Sequence, residues 1–108
     1  MPDDIFTRRA RLAKVLANPA RLQMVDALAK VDEMCVCELV ELVGLDQTTV
    51  SKHLALLRGA GLVDSRKQGL QVYYTLRTPC VIKFFECADR VANAVSTDEA
   101  TYLRGQCN

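Results

Sequence analysis

Apolar residues recur every three or four positions through most of the chain, which is the spacing of helices that bury one face. Asn18 and Asp46 suit the position before a helix, where their side chains accept hydrogen bonds from free amides. Pro19 suits a first helical position, and Gly44 suits a helix end. Helices are therefore expected over residues 3–17, 19–30, 35–44, 45–59 and 80–94.

The third and fourth of these helices are separated only by a tight turn, so together they predict a helix-turn-helix. Val50, Leu54 and Leu57 form the apolar stripe of the fourth helix. Its opposite face is small, polar and free of acids, which fits a DNA major groove roughly 12 Å wide; a merely solvated face is the alternative. The residues expected to contact DNA from this recognition helix are Gln47, Thr48, Thr49, Ser51, Lys52 and His53.

Two short segments rich in β-branched and aromatic residues follow, over 62–67 and 72–76, and they predict a β-hairpin joined by residues 68–71. A hairpin directly after a helix-turn-helix is a wing. Tyr73 and Tyr74 point to opposite faces of the second strand, so one of them is expected in the core. The wing residues expected to reach the DNA backbone or minor groove are Arg66, Lys67, Gln68 and Gln71.

The predicted fold is therefore mainly α-helical with a small β-hairpin, a winged helix-turn-helix. It is expected to be a single domain over residues 1–108, with 96–108 as a flexible tail. The last helix is apolar over a wide arc, with Val81, Phe85 and Ala88 on one stripe and Phe84 and Val91 on a second. We therefore expect a homodimer through the first and last helices, which would set two recognition helices roughly 34 Å apart on an inverted repeat.

The charge of the chain is +1 overall but is unevenly placed. Residues 47–77 carry five basic side chains and one acid, whereas residues 26–46 carry six acids and one lysine. One basic segment on a nearly neutral protein predicts a polyanionic partner, here double-stranded DNA. No leader is visible, and no apolar run approaches the roughly 20 residues of a membrane span, so a cytoplasmic protein without membrane contact is expected.

The chain has five cysteines, an odd number that suits metal or redox chemistry in the cytoplasm better than structural disulfides. Cys35 and Cys37 open the third helix, and thiolates prefer soft ions. On an ideal helix their sulfurs would diverge by about 200°, whereas in an extended segment they share a side, so chelation favours an unwound first turn. Binding would then shift the recognition helix, with a coupling of about 1–3 kcal/mol. Two small buried apolar side chains are the alternative.

A third sulfur for the same ion is left open among the remaining three cysteines: Cys80, Cys87 and Cys107. No constitutive cofactor is expected. No catalytic set of residues is present either, such as a Cys-x-x-Cys pair, a Ser/His/Asp set or a phosphate-binding glycine loop, so the protein is not expected to be an enzyme.

The chain resembles the ArsR/SmtB family of metal-responsive winged-helix repressors over roughly residues 5–95. The segments that carry the resemblance are 17–22, 35–39, 47–57, 60–63 and the wing. The resemblance implies a dimeric repressor that leaves its operator when an inducer binds. The Cys35-Val36-Cys37 segment resembles the arsenic-sensing branch, in which thiolates bind arsenite or antimonite. That branch commonly has a third cysteine where this chain has Val40, and the last helix has no histidine for the family's other metal site.

Three functions remain open from the sequence. The first is a transcriptional repressor released by As(III) or Sb(III). The second is a repressor on the same fold that senses oxidants or sulfide through pairs of thiols. The third is a small thiol enzyme or metal-buffering protein with no DNA role.

Overall fold

A computed structural model of the chain describes the backbone of residues 4–106 and the side chains of residues 4–93. It confirms a mainly helical domain with a small sheet. In chain order the elements are α1 (Ile5–Leu16), α2 (Pro19–Lys30), β1 (Met34–Cys35), α3 (Val36–Val43), α4 (Gln47–Gly59), β2 (Val63–Gln68), β3 (Gln71–Leu76) and α5 (Val81–Gln106).

The helix boundaries follow the local signals that the sequence contains. The Asn18 side chain accepts hydrogen bonds from the amides of Ala20, at 2.9 Å, and Arg21, at 3.2 Å, and Pro19 begins α2. Helix α3 ends at Gly44, whose φ of 71° lies in the left-handed region that glycine adopts without a Cβ clash. These two features hold α2 and the turn before α4 in place.

The sheet has three antiparallel strands in the order β1-β3-β2. Strands β2 and β3 form the predicted wing. Strand β2 starts and ends one residue later than expected, and β3 starts one residue earlier, so a two-residue turn that starts at Gly69 joins them. Strand β1 was not predicted. A two-residue strand shows no alternation of apolar and polar side chains, and it exists only because Met34 and Cys35 pair with the distant β3.

The core lies between the sheet and helices α2, α3 and α4. Met24, Leu39 and Leu54 are completely buried there. Tyr74 packs against this core, whereas Tyr73 faces the other side of the sheet, as its alternation with Tyr74 requires. The prediction that one of the two tyrosines belongs to the core is therefore confirmed.

Helices α1 and α5 leave much of their apolar surface uncovered in the single chain. Phe6 is 70% exposed and Phe84 is 49% exposed. The two helices border an apolar groove of about 510 Å³, lined in part by Leu12, Leu16 and Val81. Part of each predicted stripe joins the core, where Leu16 and Val81 are buried, and the rest of the apolar side chains on these helices form an exposed surface.

Helix α5 is longer than the sequence suggested. Its backbone continues to Gln106, through most of the segment 96–108 that was expected to be a tail. The physical reason is that no glycine or proline interrupts the segment before Gly105, so nothing stops the hydrogen-bonded ladder. Across residues 4–106, none of the helices combines the length and the apolar character that crossing a membrane requires.

Replacing Leu54 by alanine tests the role of the recognition helix in the core. We expect Leu54→Ala to lower the free energy of unfolding by about 2–5 kcal/mol, because it opens a cavity that the packed core cannot close. Leu70→Ala is the matched control, since Leu70 is 99% exposed and its loss should change stability by less than about 0.5 kcal/mol. Urea unfolding at one fixed protein concentration measures both; equal losses would contradict the described core.

Candidate nucleic-acid interface and cysteine pair

The outer face of α4 is polar because its apolar face is fixed in the core. Val50, Leu54 and Leu57 are completely buried. The side chains on the opposite side of the helix line a shallow concave surface and are exposed; they are Gln47, Thr48, Ser51, Lys52 and Ala55. This surface offers amide, hydroxyl and ammonium donors without a carboxylate, so it can hydrogen-bond base edges and phosphates.

Thr49 and Asp46 close the first turn of α4. The Asp46 carboxylate accepts hydrogen bonds from the Thr49 amide, at 3.1 Å, and from the Thr49 hydroxyl, at 2.6 Å. The hydroxyl bond, followed by the amide bond, lowers the pKa of Asp46. Thr49, which the sequence placed among the DNA contacts, therefore has its hydroxyl directed to the cap.

His53 lies on the side of α4 that faces α2, apart from the exposed donors. It is half-buried, and its Nδ1 is 2.9 Å from Nη1 of Arg21. Because a guanidinium can only donate, Nδ1 must accept, and the ring proton then resides on Nε2. Nε of Arg21 also donates to the carbonyl oxygen of Val15, at 2.6 Å. His53 thus connects the recognition helix to the α1–α2 corner.

The four wing residues expected at DNA are all exposed along the β2–β3 hairpin: Arg66, Lys67, Gln68 and Gln71. Arg66 is engaged within the chain, because its guanidinium donates to the carboxylate of Glu33 and to the side-chain oxygen of Gln68. Glu33 was not singled out by the sequence. It lies 33 residues before Arg66, and no local pattern indicates such a pairing.

The two cysteines of the third helix are joined by a disulfide, with their Cα atoms 5.4 Å apart. Cys35 is the last residue of β1 and has extended backbone, and α3 begins only at Val36. The expectation that Cys35 is helical, so that its sulfur meets that of Cys37 only when a turn unwinds, is therefore wrong. The strand-to-helix junction already brings both sulfurs to one side. Cys35 is buried, whereas Cys37 is exposed.

The sulfur of Cys35 also caps α3. The amide of Glu38 donates to Cys35 Sγ at 3.4 Å, and the Cys35 amide donates to Glu38 Oε1 at 3.0 Å. These reciprocal bonds form a capping box in which a cysteine takes the place of the usual serine or threonine. A reaction at this sulfur therefore acts directly on the first turn of the helix that supports α4.

Two further cysteines, Cys80 and Cys87, lie in the described part of the chain. Cys80 and Cys87 are free and exposed, and Cys80 borders the apolar groove between α1 and α5. Among the residues that the structure describes, no group of three histidine, cysteine or acidic side chains could hold a metal ion. Cys107, the remaining candidate for a third sulfur, lies outside the described residues. The described part of the chain therefore offers two adjacent sulfurs, which suit a soft trivalent ion better than a tetrahedral metal.

Comparison with known proteins identifies the family. A model described as bacterial regulatory protein, arsR family, matches residues 18–65. The transcriptional repressor PagR of Bacillus anthracis is 40% identical over 72 residues, which are 67% of this chain and 72% of PagR. The chain belongs to the ArsR family. The family and the fold are those of DNA-binding transcriptional regulators, not of enzymes, which rules against the third function considered from the sequence.

Two resistance regulators are also similar to this chain. The arsenical resistance operon repressor of Escherichia coli K12 is 46% identical over 71 residues, which are 66% of this chain and 61% of that protein. The cadmium resistance regulator CadC of Listeria innocua is 37% identical over 73 residues, which are 68% of this chain and 61% of that protein. The chain thus spans less than two thirds of the length of either relative.

Solved structures support the same fold. Rv0081 of Mycobacterium tuberculosis has a TM-score of 0.79 at 29% identity, covering 92% of this chain and 99% of that chain. A homodimeric winged helix-turn-helix DNA-binding domain of Mycobacterium bovis has a TM-score of 0.72 at 33% identity, covering 88% of this chain and 86% of that chain. The predicted winged helix-turn-helix is therefore confirmed.

The Asp46 cap gives a prediction on pH. Because hydrogen bonds to the ionised carboxylate lower the pKa of Asp46 in the folded state, its stabilising effect is complete above the ordinary value of 3.8 and is lost as the pH falls through the lowered value. We therefore expect Asp46→Ala to have a lower melting temperature at pH 7, by an amount that shrinks as the pH falls from about 5 to 3. Asp46→Asn, which caps without titrating, is the control for the charge. A gap between wild type and Asp46→Ala that does not change with pH would contradict the carboxylate cap.

Proposed function

We propose that this chain is a dimeric transcriptional repressor that binds operator DNA and leaves it when arsenite or antimonite binds the thiolates of Cys35 and Cys37. The observation that carries the proposal is the position of the pair, because one sulfur caps the helix that packs against the recognition helix. The similarity to an arsenical resistance operon repressor supports a metalloid inducer, and the similarity to a cadmium resistance regulator supports a metal or metalloid inducer in general.

The proposed DNA contacts divide between helix and wing. The exposed face of α4 would enter the major groove, and the wing would follow the backbone or the minor groove. The uncovered apolar surfaces of α1 and α5 support a homodimer through these helices, as does the homodimeric M. bovis domain. A two-fold axis would then place the two α4 helices roughly 34 Å apart, the spacing of the half-sites of an inverted repeat.

The proposed reaction is a condensation at the dithiol form of the pair, which a small thiol reductant supplies by reducing the Cys35–Cys37 disulfide to two thiols and leaving as its own disulfide. Each thiol gives its proton to one hydroxide of arsenous acid, two water molecules leave, and arsenic keeps two sulfurs and one remaining hydroxide. The exposed Cys37 gives the reagent access, and the adjacent Cys35 closes the chelate. A further cysteine, Cys107, Cys80 or Cys87 of either chain, would replace the last hydroxide by the same step.

Release would follow from movement of the cap. The Glu38 amide donates to Cys35 Sγ even while this sulfur is bonded to Cys37, so arsenic would act by moving the sulfur and, with it, the first turn of α3. Helix α3 packs against α4, so a shift of its first turn changes how α4 sits in the groove. A coupling of about 1–3 kcal/mol is enough to change operator affinity by roughly 5–150-fold.

Replacing Lys52 by alanine tests the DNA-binding face. We expect Lys52→Ala to weaken binding to all duplexes and to lower the slope of log affinity against log salt concentration by about 1, because one phosphate contact is lost. Lys30→Ala is the control, because Lys30 lies on α2, a different helix from that of Lys52, and pairs there with Asp26. Fluorescence anisotropy with a duplex selected from a random library measures both variants. An unchanged slope for Lys52→Ala would remove this face from the interface.

Replacing Cys35 by serine tests the sensor. Serine caps helices well, so Cys35→Ser should bind the selected duplex like wild type. Because Cys35→Ser lacks the sulfur, arsenite should no longer release it from the duplex. Arsenite should lower the operator affinity of wild type by roughly 5–150-fold and leave that of Cys35→Ser unchanged, a ratio of about 1. Titration of the complex with arsenite under reducing conditions measures this change. Arsenite release of Cys35→Ser equal to that of wild type would refute the sensor assignment.

Serine variants of the other three cysteines identify the third sulfur. X-ray absorption counts the sulfurs around bound arsenic in Cys80→Ser, Cys87→Ser and Cys107→Ser. A true ligand lowers the count by about one, from the three sulfurs that trivalent arsenic accepts to two, and the other variants leave it unchanged.

The disulfide between Cys35 and Cys37 favours a second candidate, a repressor that senses oxidants or sulfide. In that case two thiols and one peroxide would give one disulfide and two water molecules, and the change would reach α3 through the same cap. Matched titrations of the operator complex with arsenite, peroxide and polysulfide distinguish the candidates, because the inducer that acts at the lower concentration on reduced protein is the specific one.

A further inference from the structure

The outer face of the sheet carries a continuous row of side chains from the cysteine pair to the wing. Cys35 pairs with Tyr73 across β1 and β3, and Tyr73 pairs with Arg66 across β3 and β2. Residues that pair directly in an antiparallel sheet point to the same face, so all three lie on the face opposite the core. The proposed sensor and the wing are therefore neighbours across one strand.

Arg66 is bound to the segment that leads into β1. Its Nε donates to Oε2 of Glu33 at 3.0 Å, and its Nη2 donates to Oε1 at 2.6 Å, so the contact is bidentate. The guanidinium lies 4.7 Å from the centre of the Tyr73 ring, and its Nη1 donates to Oε1 of Gln68 at 2.6 Å. Bidentate geometry on an aromatic platform makes this pair more specific than an ordinary surface ion pair.

This arrangement conflicts with the proposed role of the wing. An arginine that contacts phosphate must present its charge, but here a carboxylate neutralises it and all three guanidinium nitrogens have acceptors. The bidentate contact with Glu33 occupies the guanidinium nitrogens Nε and Nη2 that a phosphate would otherwise take. Arg66 can serve the operator only when Glu33 releases it.

Glu33 lies two residues before Cys35, directly before the shortest strand of the sheet. In the described part of the chain, β1 lies at one edge of the sheet and pairs with β3. The link between Cys35 and Cys37 spans the junction of β1 and α3, two residues after Glu33. In the present structure this link is closed and Glu33 holds Arg66.

We propose that Glu33 is a positioning residue that withdraws Arg66 from operator phosphate when the sulfurs of Cys35 and Cys37 are joined and releases it when they are separate thiols. Joined means linked by one disulfide or by one trivalent arsenic. The inference rests on the proposed function for the DNA that Arg66 would contact. It adds a second route to release, through the sheet to the wing, beside the route through α3.

The test compares Glu33→Gln with its parent on a labelled duplex selected from a random library by the reduced parent protein. The parent carries Cys80→Ser, Cys87→Ser and Cys107→Ser, so that oxidation can form only the Cys35–Cys37 disulfide. In the disulfide state, Glu33→Gln should bind more tightly than the parent. It should also lose about 3.5 times more affinity between 50 and 200 mM salt, because one recovered phosphate contact steepens the logarithmic slope by about 0.9. In the dithiol state, the two proteins should bind alike.

Two controls separate this effect from a change in net charge or in folding. Glu41→Gln removes the same charge from an exposed position on α3 and should behave as the parent does. Adding Glu33→Gln to Arg66→Ala should have no effect in either state, since the residue on which Glu33 acts is gone. A purely structural role for Glu33 would alter melting temperature without altering the salt slope.

The proposal is overturned if Glu33→Gln binds no more tightly than the parent in the disulfide state, or if its effect persists without Arg66. This comparison uses the disulfide, not arsenic, to join the sulfurs. If arsenite does not release the wild-type protein from DNA, the proposed inducer is wrong, but the result for Glu33 is unaffected. A protein that binds no duplex would overturn both.

Discussion

The structure depends on one junction, in which Cys35 ends a strand and caps a helix at the same time. Its amide and its sulfur are both bonded to Glu38, and its backbone pairs with Tyr73 in the sheet. The sheet and the helix-turn-helix are therefore joined at a residue with a reactive side chain. A serine would cap the helix as well, but it would not bind a soft ion or form a disulfide.

The junction lies beside two elements that are proposed to contact DNA. On one side, α3 packs against α4, whose buried stripe leaves no freedom in the direction that its polar face points. On the other side, β1 lies beside the central strand of the wing, and Glu33 reaches across it to Arg66. Few residues therefore separate the sulfur of Cys35 from the proposed major-groove contact and from the proposed backbone contact.

The features predicted correctly from the sequence are those with local causes. Asn18, Asp46 and Gly44 mark helix boundaries through bonds within a few residues, and the apolar period of α4 identifies its buried face. The features that were missed are non-local or unmarked. Strand β1 exists only through pairing with β3, the Glu33–Arg66 contact spans 33 residues, and the long α5 lacks a stop signal. The start of α3 was misplaced by one residue, which was enough to reverse the expected relation of the two sulfurs.

The unequal exposure of the two sulfurs sets an order of events. A reagent that diffuses from solution meets Cys37, whereas Cys35 is only 6% exposed and engaged with an amide. In the proposed sensor, capture would be a bimolecular encounter whose rate rises with reagent concentration, and closure onto Cys35 would be a unimolecular step whose rate does not. At high reagent concentrations, the rate of the response would reach a maximum that is set by the opening of the first turn of α3.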